Sequence, residues 1–218
     1  MTREILLRTS ADTRRVPWRN GRGVTEELVI WPDRSSLERG DFDWRISRAR
    51  VDEDGPFSIF AGFERILVAL DGAGLVLSHG SDAPRSRLRP LEPYRFEGEW
   101  STRAELVAGP VADFNVFARR GVVRAEVEIA RLGARRTREP VGPGHAYLYV
   151  SHGAATVRVP REDEPFELAT GDGVWARELD GEEELEIVGG TPTTVLAIVR
   201  VQAADRGDGA ATRPVFFR

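Results

Sequence analysis

The 218-residue chain contains no cysteine and no lysine. Without cysteine there is no disulfide framework, no thiolate metal site and no sulfur nucleophile. Without lysine all 31 basic residues are arginine. A compositional bias of the coding sequence accounts for this, so an isolated Arg reads first as solvated surface. Histidine is scarce as well: His79, His145 and His152 form no His-x-His pair, so no metal centre is expected. Long apolar runs are missing. The Met1–Thr9 segment is too short in apolar residues for a signal peptide, and no later stretch could span a bilayer. A cytoplasmic protein with no membrane partner is expected. A basic surplus is absent too, and the formal net charge of −4 argues against a nucleic-acid partner. No serine nucleophile elbow, dinucleotide fingerprint or phosphate loop occurs, so no cofactor is expected.

What the chain does have is strand signal. Segments 66–70, 74–77, 122–129, 147–150, 155–159 and 195–201 are short, β-branched or aliphatic, and punctuated by Gly, Pro, Asp and Ser. The only hint of helix is one turn over Ser35–Arg39. With 22 Gly and 13 Pro the chain has material for many turns, which predicts an all-β sandwich or barrel.

An internal repeat sharpens this reading. Leu70-Asp71-Gly72-Ala73-Gly74 aligns with Ser151-His152-Gly153-Ala154-Ala155 at an offset of 81 residues, and Gly109 aligns with Gly190 at the same offset. Pro93-Tyr94 falls opposite Val174-Trp175 in between. Constant spacing over three landmarks predicts tandem duplication. At that offset Asp113 maps onto Thr194 and Asn115 onto Leu196, so a polar strand in the first copy becomes an apolar one in the second.

Four polar signatures with aromatic neighbours interrupt the first half: Trp18-Arg19-Asn20-Gly21-Arg22-Gly23-Val24-Thr25-Glu26-Glu27, Phe42-Asp43-Trp44-Arg45-Ile46-Ser47, Gly55-Pro56-Phe57-Ser58-Ile59-Phe60 and Asp113-Phe114-Asn115-Val116. Asn, Thr, Glu, Arg, Ser and Asp set beside Trp and Phe suit a polar pocket with aromatic walls. Period two places Asp113, Asn115 and Phe117 on one strand face, and Thr25, Glu27 and Val29 on another. It also sets Phe42, Trp44 and Ile46 against Arg45 and Ser47. Which of these last two faces points inward is open: in a surface sheet Arg45 points to water, in a barrel it points to the lumen.

The signatures resemble those of the HutD/Ves family, small bacterial bicupins linked to histidine catabolism. The matching residues are Trp18, Asn20, Gly21, Gly23, Thr25, Glu27, Trp44, Arg45, Ile46, Ser47, Phe57, Ser58, Phe60, Gly62, Arg65, Asp113, Phe114 and Asn115. Arg22 and Ala61 depart from the family pattern, which has Gly and Pro there. The Leu168-Ala169-Thr170-Gly171-Asp172-Gly173 stretch likewise resembles a Gly-Asp turn of cupins. The resemblance implies an all-β bicupin of two tandem jelly-roll β-barrels. Residues 1–120 would form an N-terminal cupin with the ligand pocket, 121–202 a degenerate C-terminal cupin and 203–218 a tail, with strand exchange between the halves allowed.

The resemblance further implies non-enzymatic binding of a small carboxylate metabolite, of the urocanate or N-formylglutamate class, in the regulation of histidine utilisation. Arg45 or Arg65 would grip the carboxylate. Asn20, Thr25, Ser47 and Asn115 would orient the rest, and Trp18 or Phe60 would wall a planar group. The alternative is a metal-free cupin enzyme, an isomerase or hydrolase, with Glu27 and Asp113 as base and acid. Edge-to-edge strand addition would make a homodimer.

Overall fold

The computed structural model describes residues 3–17, 23–80 and 84–205. Strands β1 (Glu4–Arg8), β2 (Arg14–Pro17), β3 (Val24–Trp31), β4 (Trp44–Val51) and β5 (Gly55–Pro56) open the chain. Next come β6 (Phe63–Asp71), β7 (Leu75–His79), β8 (Ser86–Leu88), β9 (Tyr94–Glu97), β10 (Thr102–Leu106) and β11 (Val111–Arg119). The second half runs β12 (Val123–Arg131), β13 (Arg136–Val141), β14 (Gly144–His152), β15 (Ala154–Arg158), β16 (Phe166–Ala169), β17 (Gly173–Leu179), β18 (Glu183–Gly189) and β19 (Val195–Ala203).

All six segments expected to be strands lie in this set. The helical turn does not: Ser35–Arg39 is a turn whose one helix-like bond runs from the Gly40 N–H to the Ser36 carbonyl at 3.0 Å. A single such bond leaves the nucleation cost of a helix uncompensated. The helical element is instead a 3-10 turn at Ser10–Asp12, where the Thr9 N–H and hydroxyl both donate to Asp12 Oδ2.

The chain forms two compact units. The first, Arg14–Arg124, holds a six-stranded sheet in the order β2-β3-β4-β11-β6-β9 and a four-stranded sheet β5-β10-β7-β8. Its main core lies between these sheets, with Leu67, Ala69, Tyr94 and Phe96 from the larger meeting Leu75, Leu77, Leu88 and Ala104 from the smaller. The second unit has a five-stranded sheet β1-β17-β14-β19-β12 and a four-stranded sheet β13-β18-β15-β16. Leu148, Val150, Leu196 and Ile198 meet Val157, Leu168, Leu185 and Ile187 in its core. Strand β1 belongs to this second unit, paired along its whole length with β17. The ladders pair antiparallel, and among the described residues none closes the two sheets of a unit into a barrel. In hydrogen-bonding terms each unit is an open two-sheet sandwich.

The duplication is visible in the pairing itself. β6 and β14 are both nine residues long and lie 81 residues apart, and each carries an irregularity in the same place, at Leu70 and at Ser151. The glycines that follow, Gly72 and Gly153, both have positive φ, +88° and +80°. The offset is not constant, however. Asp113 pairs with Ala69 and Leu196 with Val150, so the last strand of the repeat is shifted by 83 residues. The counterparts of Asp113 and Asn115 are therefore Leu196 and Ile198, correcting the alignment onto Thr194 and Leu196. A slip of two keeps the same strand face, and both counterparts are fully buried apolar residues.

Candidate functional site

The six-stranded sheet of the first unit turns a polar face inward. Across β4 and β11, Ala49 faces Asp113, Ser47 faces Asn115 and Arg45 faces Phe117. Across β11 and β6, Phe117 faces Arg65, and Arg65 in turn faces Phe96 of β9. Arg45 and Arg65 thus flank Phe117 on one side of the sheet. Both are buried, 2% and 5% exposed, together with Glu27, Ser47, Asp113 and Asn115. The Arg45 face points in, but Trp44 and Ile46 on the opposite face are equally buried. Burial on both faces is why alternation in β4 could not say which one lines the interior.

A bulge completes the arrangement. In β3 the register shifts between Glu27 and Val29: Thr25 and Glu27 stand opposite Ala49 and Ser47, whereas Ile30 stands opposite Arg45. The face shared by Thr25 and Glu27 therefore continues through Ile30, not through Val29 as strict period two implied. Bulges of this kind re-aim side chains beside functional sites. Here it sets Ile30, not Val29, opposite Arg45, while Glu27, opposite Ser47, reaches Arg45 diagonally on the neighbouring strand.

Arg45 Nε donates to Glu27 Oε2 at 2.7 Å, and Nη1 donates to Ser47 Oγ at 3.0 Å. Arg65 has no such carboxylate. Its Nη2 donates to Asn115 Oδ1 at 2.6 Å and its Nη1 reaches the Ser58 carbonyl at 3.4 Å. Asp113, two residues before Asn115 on the same strand face, accepts the Ala49 N–H on Oδ1 at 3.0 Å.

Around the Arg65 guanidinium stand four phenylalanine rings: Phe117 at 4.7 Å, Phe96 at 4.9 Å, Phe57 at 5.1 Å and Phe60 at 5.8 Å from its central carbon. Rings within about 6 Å attract a cation through their quadrupoles. Of the four, Phe60 was expected at the site from sequence; Phe96, Phe117 and Phe57 as cage members were not. The period of two along Tyr94–Glu97 could have placed Phe96 on an inner face, but nothing in sequence sets that face beside Arg65.

Two guanidinium groups on one face leave donors over. Arg45 Nη2 and Arg65 Nε are both buried without a hydrogen-bond partner. Unpaired buried donors are rare because each forfeits its hydration. Burial pulls the Arg65 pKa down to about 10, Asp113 partly offsetting this and Arg45 adding to it. Arg45 is lowered too, again by burial. The Asp113 carboxyl is pushed up to about 6 by burial, against the opposing pull of Asn115, Arg65 and the Ala49 N–H. The patch is thus a desolvated field with two fixed cations, one ion-paired carboxylate and one carboxyl that titrates near neutrality.

Of the residues expected to form the site, Glu27, Arg45, Ser47, Phe60, Arg65, Asp113 and Asn115 come together here. Thr25 lies one step up the same face, opposite Ala49 and half-buried. Trp18 and Asn20 lie outside the described residues. Among the described residues no group of three His, Asp or Glu is arranged to hold a metal ion, and no helix is long and apolar enough to cross a membrane.

In the second unit the equivalent face is apolar. Ala146 and Ala176 face each other where Arg65 and Phe96 do so in the first, with Leu196 and Ile198 in place of Asp113 and Asn115.

The chain is similar in structure to a conserved protein of unknown function, PA5104, from Pseudomonas aeruginosa PAO1, at 26% identity and a TM-score of 0.82 over 91% of this chain and 99% of that one. It is also similar to HutD from Pseudomonas fluorescens SBW25, at 26% identity and a TM-score of 0.75 over 93% of this chain and all of that one. The Escherichia coli pirin YhhW, solved in complex with nickel(II), shares the cupin-like fold at 11% identity, with a TM-score of 0.62 over 90% of this chain and 99% of that one. The sequence model of the HutD family matches residues 10–195, most of the chain. The protein belongs to the HutD family, which links it to histidine utilisation.

Proposed function

We propose that the protein is a non-enzymatic, cytoplasmic sensor that binds a small carboxylate metabolite, of the urocanate or N-formylglutamate class, at the Arg45–Arg65 face. In this reading its two units are tandem jelly rolls, only the first of which carries a site. The observation that supports it is the pair of unpartnered donors, Arg45 Nη2 and Arg65 Nε, on either side of Phe117. A carboxylate arriving there satisfies both, and a charge-assisted hydrogen bond contributes on the order of 1.5–3 kcal/mol net. Ser47 and Asn115 hold the two guanidiniums in place, a positioning role in addition to any contact with the ligand. Phe60 and its neighbours wall the site, while Thr25, Trp18 and Asn20 are left to meet the rest of the molecule.

Isothermal calorimetry and thermal melting with urocanate, N-formylglutamate and histidine test this. The expected result is saturable heat and a raised melting temperature with at least one of the two metabolites. At a ligand concentration about 100 times Kd the gain in stability is about 2.7 kcal/mol. Silence from all three compounds in both measurements would remove the assignment.

A second reading, a metal-free enzyme, is favoured by one observation: the buried Asp113 carboxyl, pushed up to about 6, is poised to carry a proton near neutral pH. Glu27 would be its partner, although its engagement with Arg45 suits a structural role better. Turnover of either metabolite that disappears in Asp113→Asn, with a pH profile breaking near 6, would establish this reading; binding without turnover would dismiss it.

A further inference from the structure

The first unit has a pocket of about 250 Å³ away from the paired arginine donors, bounded by His79, Ser86, Tyr94, Trp100 and Ser101, with Pro84 at its rim. Its wall is aromatic. The His79 and Tyr94 rings are nearly parallel, 4° apart with centroids at 5.7 Å, and Trp100 meets His79 edge-on at 4.9 Å. No Asp, Glu or Arg is among the described residues that line it. Phe96 touches both His79, at 5.2 Å between centroids, and the Arg65 guanidinium, so one ring is shared by this pocket and the arginine cluster.

The polar groups of the wall form one chain. His79 Nδ1 lies 2.9 Å from Thr102 Oγ1 and Nε2 lies 2.8 Å from the Tyr94 hydroxyl. The Tyr94 hydroxyl is 3.2 Å from Ser86 Oγ, and the Thr102 hydroxyl is 3.2 Å from the Trp100 carbonyl. A neutral imidazole has one donor and one acceptor nitrogen, so the chain can run in either of two directions. With the proton on Nδ1, His79 donates to Thr102, Thr102 donates to the Trp100 carbonyl and Tyr94 donates to Nε2. Tyr94 then has no proton left for Ser86, and the Ser86 hydroxyl is open to a group in the pocket. With the proton on Nε2, His79 donates to Tyr94, Tyr94 donates to Ser86, and the Ser86 hydroxyl is free to donate to an acceptor. Burial and the nearby Arg65 hold His79 below the ordinary histidine range, which keeps both directions open at neutral pH.

We propose that this pocket is a second ligand site, distinct from the arginine cluster, for a neutral planar ring carrying a single hydrogen-bonding group that engages Ser86. Size supports a ring: an apolar cavity of about 150 Å³ is enough for benzene, and the larger volume here leaves room for a substituent. Aromatic walls favour a flat occupant through offset and edge-to-face contacts. Among the described residues that line it none is charged, so they offer nothing to offset the desolvation of an ion.

Phenol, whose hydroxyl both donates and accepts, and pyridine, which only accepts, are suitable probes, with benzoate as the charged control. The full-length protein with 15N-labelled histidine has three imidazoles to observe, at His79, His145 and His152. Phenol is expected to shift the His79 ring signals saturably, and pyridine, which can only accept from Ser86, to shift them towards the Nε2–H tautomer. Ser86→Ala should weaken both about three- to tenfold, the range for one neutral hydrogen bond. Ser86→Leu, which fills the pocket, should abolish both. In Arg65→Met, which removes the carboxylate site and one contact of the shared Phe96 ring, saturable phenol binding at His79 should persist. The proposal fails if phenol produces no saturable shift at His79, if Ser86→Leu leaves that shift unchanged, or if pyridine moves the tautomer towards Nδ1–H. It also fails if benzoate competes with phenol in Arg65→Met as strongly as phenol itself binds. Failure of metabolite binding at the arginine cluster would leave all these readings unaffected.

Discussion

Arg65 carries a full charge into a cage of four phenylalanines and receives only an amide oxygen and a distant carbonyl in return. Cation–π attraction offsets part of the desolvation but does not replace a counter-ion. Arg65→Met keeps similar bulk and removes the buried charge, so we expect a melting temperature equal to or above that of the parent, with the carboxylate-induced rise abolished. A large drop in the melting temperature would mean that Arg65 is structural. Arg45 differs, because its loss strands the Glu27 carboxylate in the interior. Arg45→Ala should destabilise by about 3–5 kcal/mol in urea denaturation, and Arg45→Met combined with Glu27→Gln should recover much of that loss. Asp113 gives a pH signature. Its pKa rises from 3.8 to about 6 on folding, so the folded chain holds the proton more tightly than the unfolded chain. Below about pH 4 the carboxyl is protonated in both states and its contribution is fully present. Stability is lost as the pH rises through 6, by on the order of 3 kcal/mol. Asp113→Asn lacks this slope. Its stability relative to the parent should therefore be higher at pH 7.5 than at pH 4 by that amount, and equal differences at both pH values would contradict the assignment.

At the scale of elements, the segment carrying Phe57 and Phe60 lies over the guanidinium because the backbone beneath it comes very close. The Phe60 N–H donates to the Gly98 carbonyl, and the Gly98 N–H donates to the Phe63 carbonyl. A Cβ at residue 98 would stand 2.3 Å from the Phe60 oxygen and 2.9 Å from that of Phe63. Both obstacles are backbone and cannot rotate away. Gly98→Ala must lift this segment off β6 and β9, costing about 1–3 kcal/mol in the urea midpoint and taking the ligand-induced thermal shift with it. An unchanged shift would show that the phenylalanine cage is not part of the site. The bulge in β3 plays a similar geometric role, since without the extra residue Glu27 and Ile30 would not share a face.

At the scale of the molecule, the two units preserve one pairing scheme and differ in what fills it. Where the first holds Arg65, Phe96, Asp113 and Asn115, the second holds Ala146, Ala176, Leu196 and Ile198. An apolar core of that kind maximises burial, and the polar one gives up stability for chemistry. The second unit also depends on the N-terminus. β1 covers the edge of β17, and Arg3 bonds Glu183, Glu162 and the Pro160 carbonyl. Removal of residues 1–8 should expose that edge. In hydrogen exchange, the one of the Val174 and Trp175 amides that points to β1 should lose protection, while those of Leu67 and Asn115 keep theirs. Loss at both places would mean that the units do not unfold separately.

The sequence by itself determined the all-β class, the duplication and the polar strand face of Asp113, Asn115 and Phe117, because strand period, turn residues and repeat spacing are local properties written along the chain. It also carried the family signatures. Only the tertiary structure decided which face of β4 is inside, that Glu27 meets Arg45 diagonally from the neighbouring strand, and that Arg65 lacks a carboxylate while four rings surround it. It likewise decided that β1 joins the second unit and that the repeat slips by two residues before its last strand. Those facts depend on contacts between residues 5 to 180 positions apart. Pairing register and burial set such contacts, and neither leaves a periodic mark in a strand that is buried on both faces.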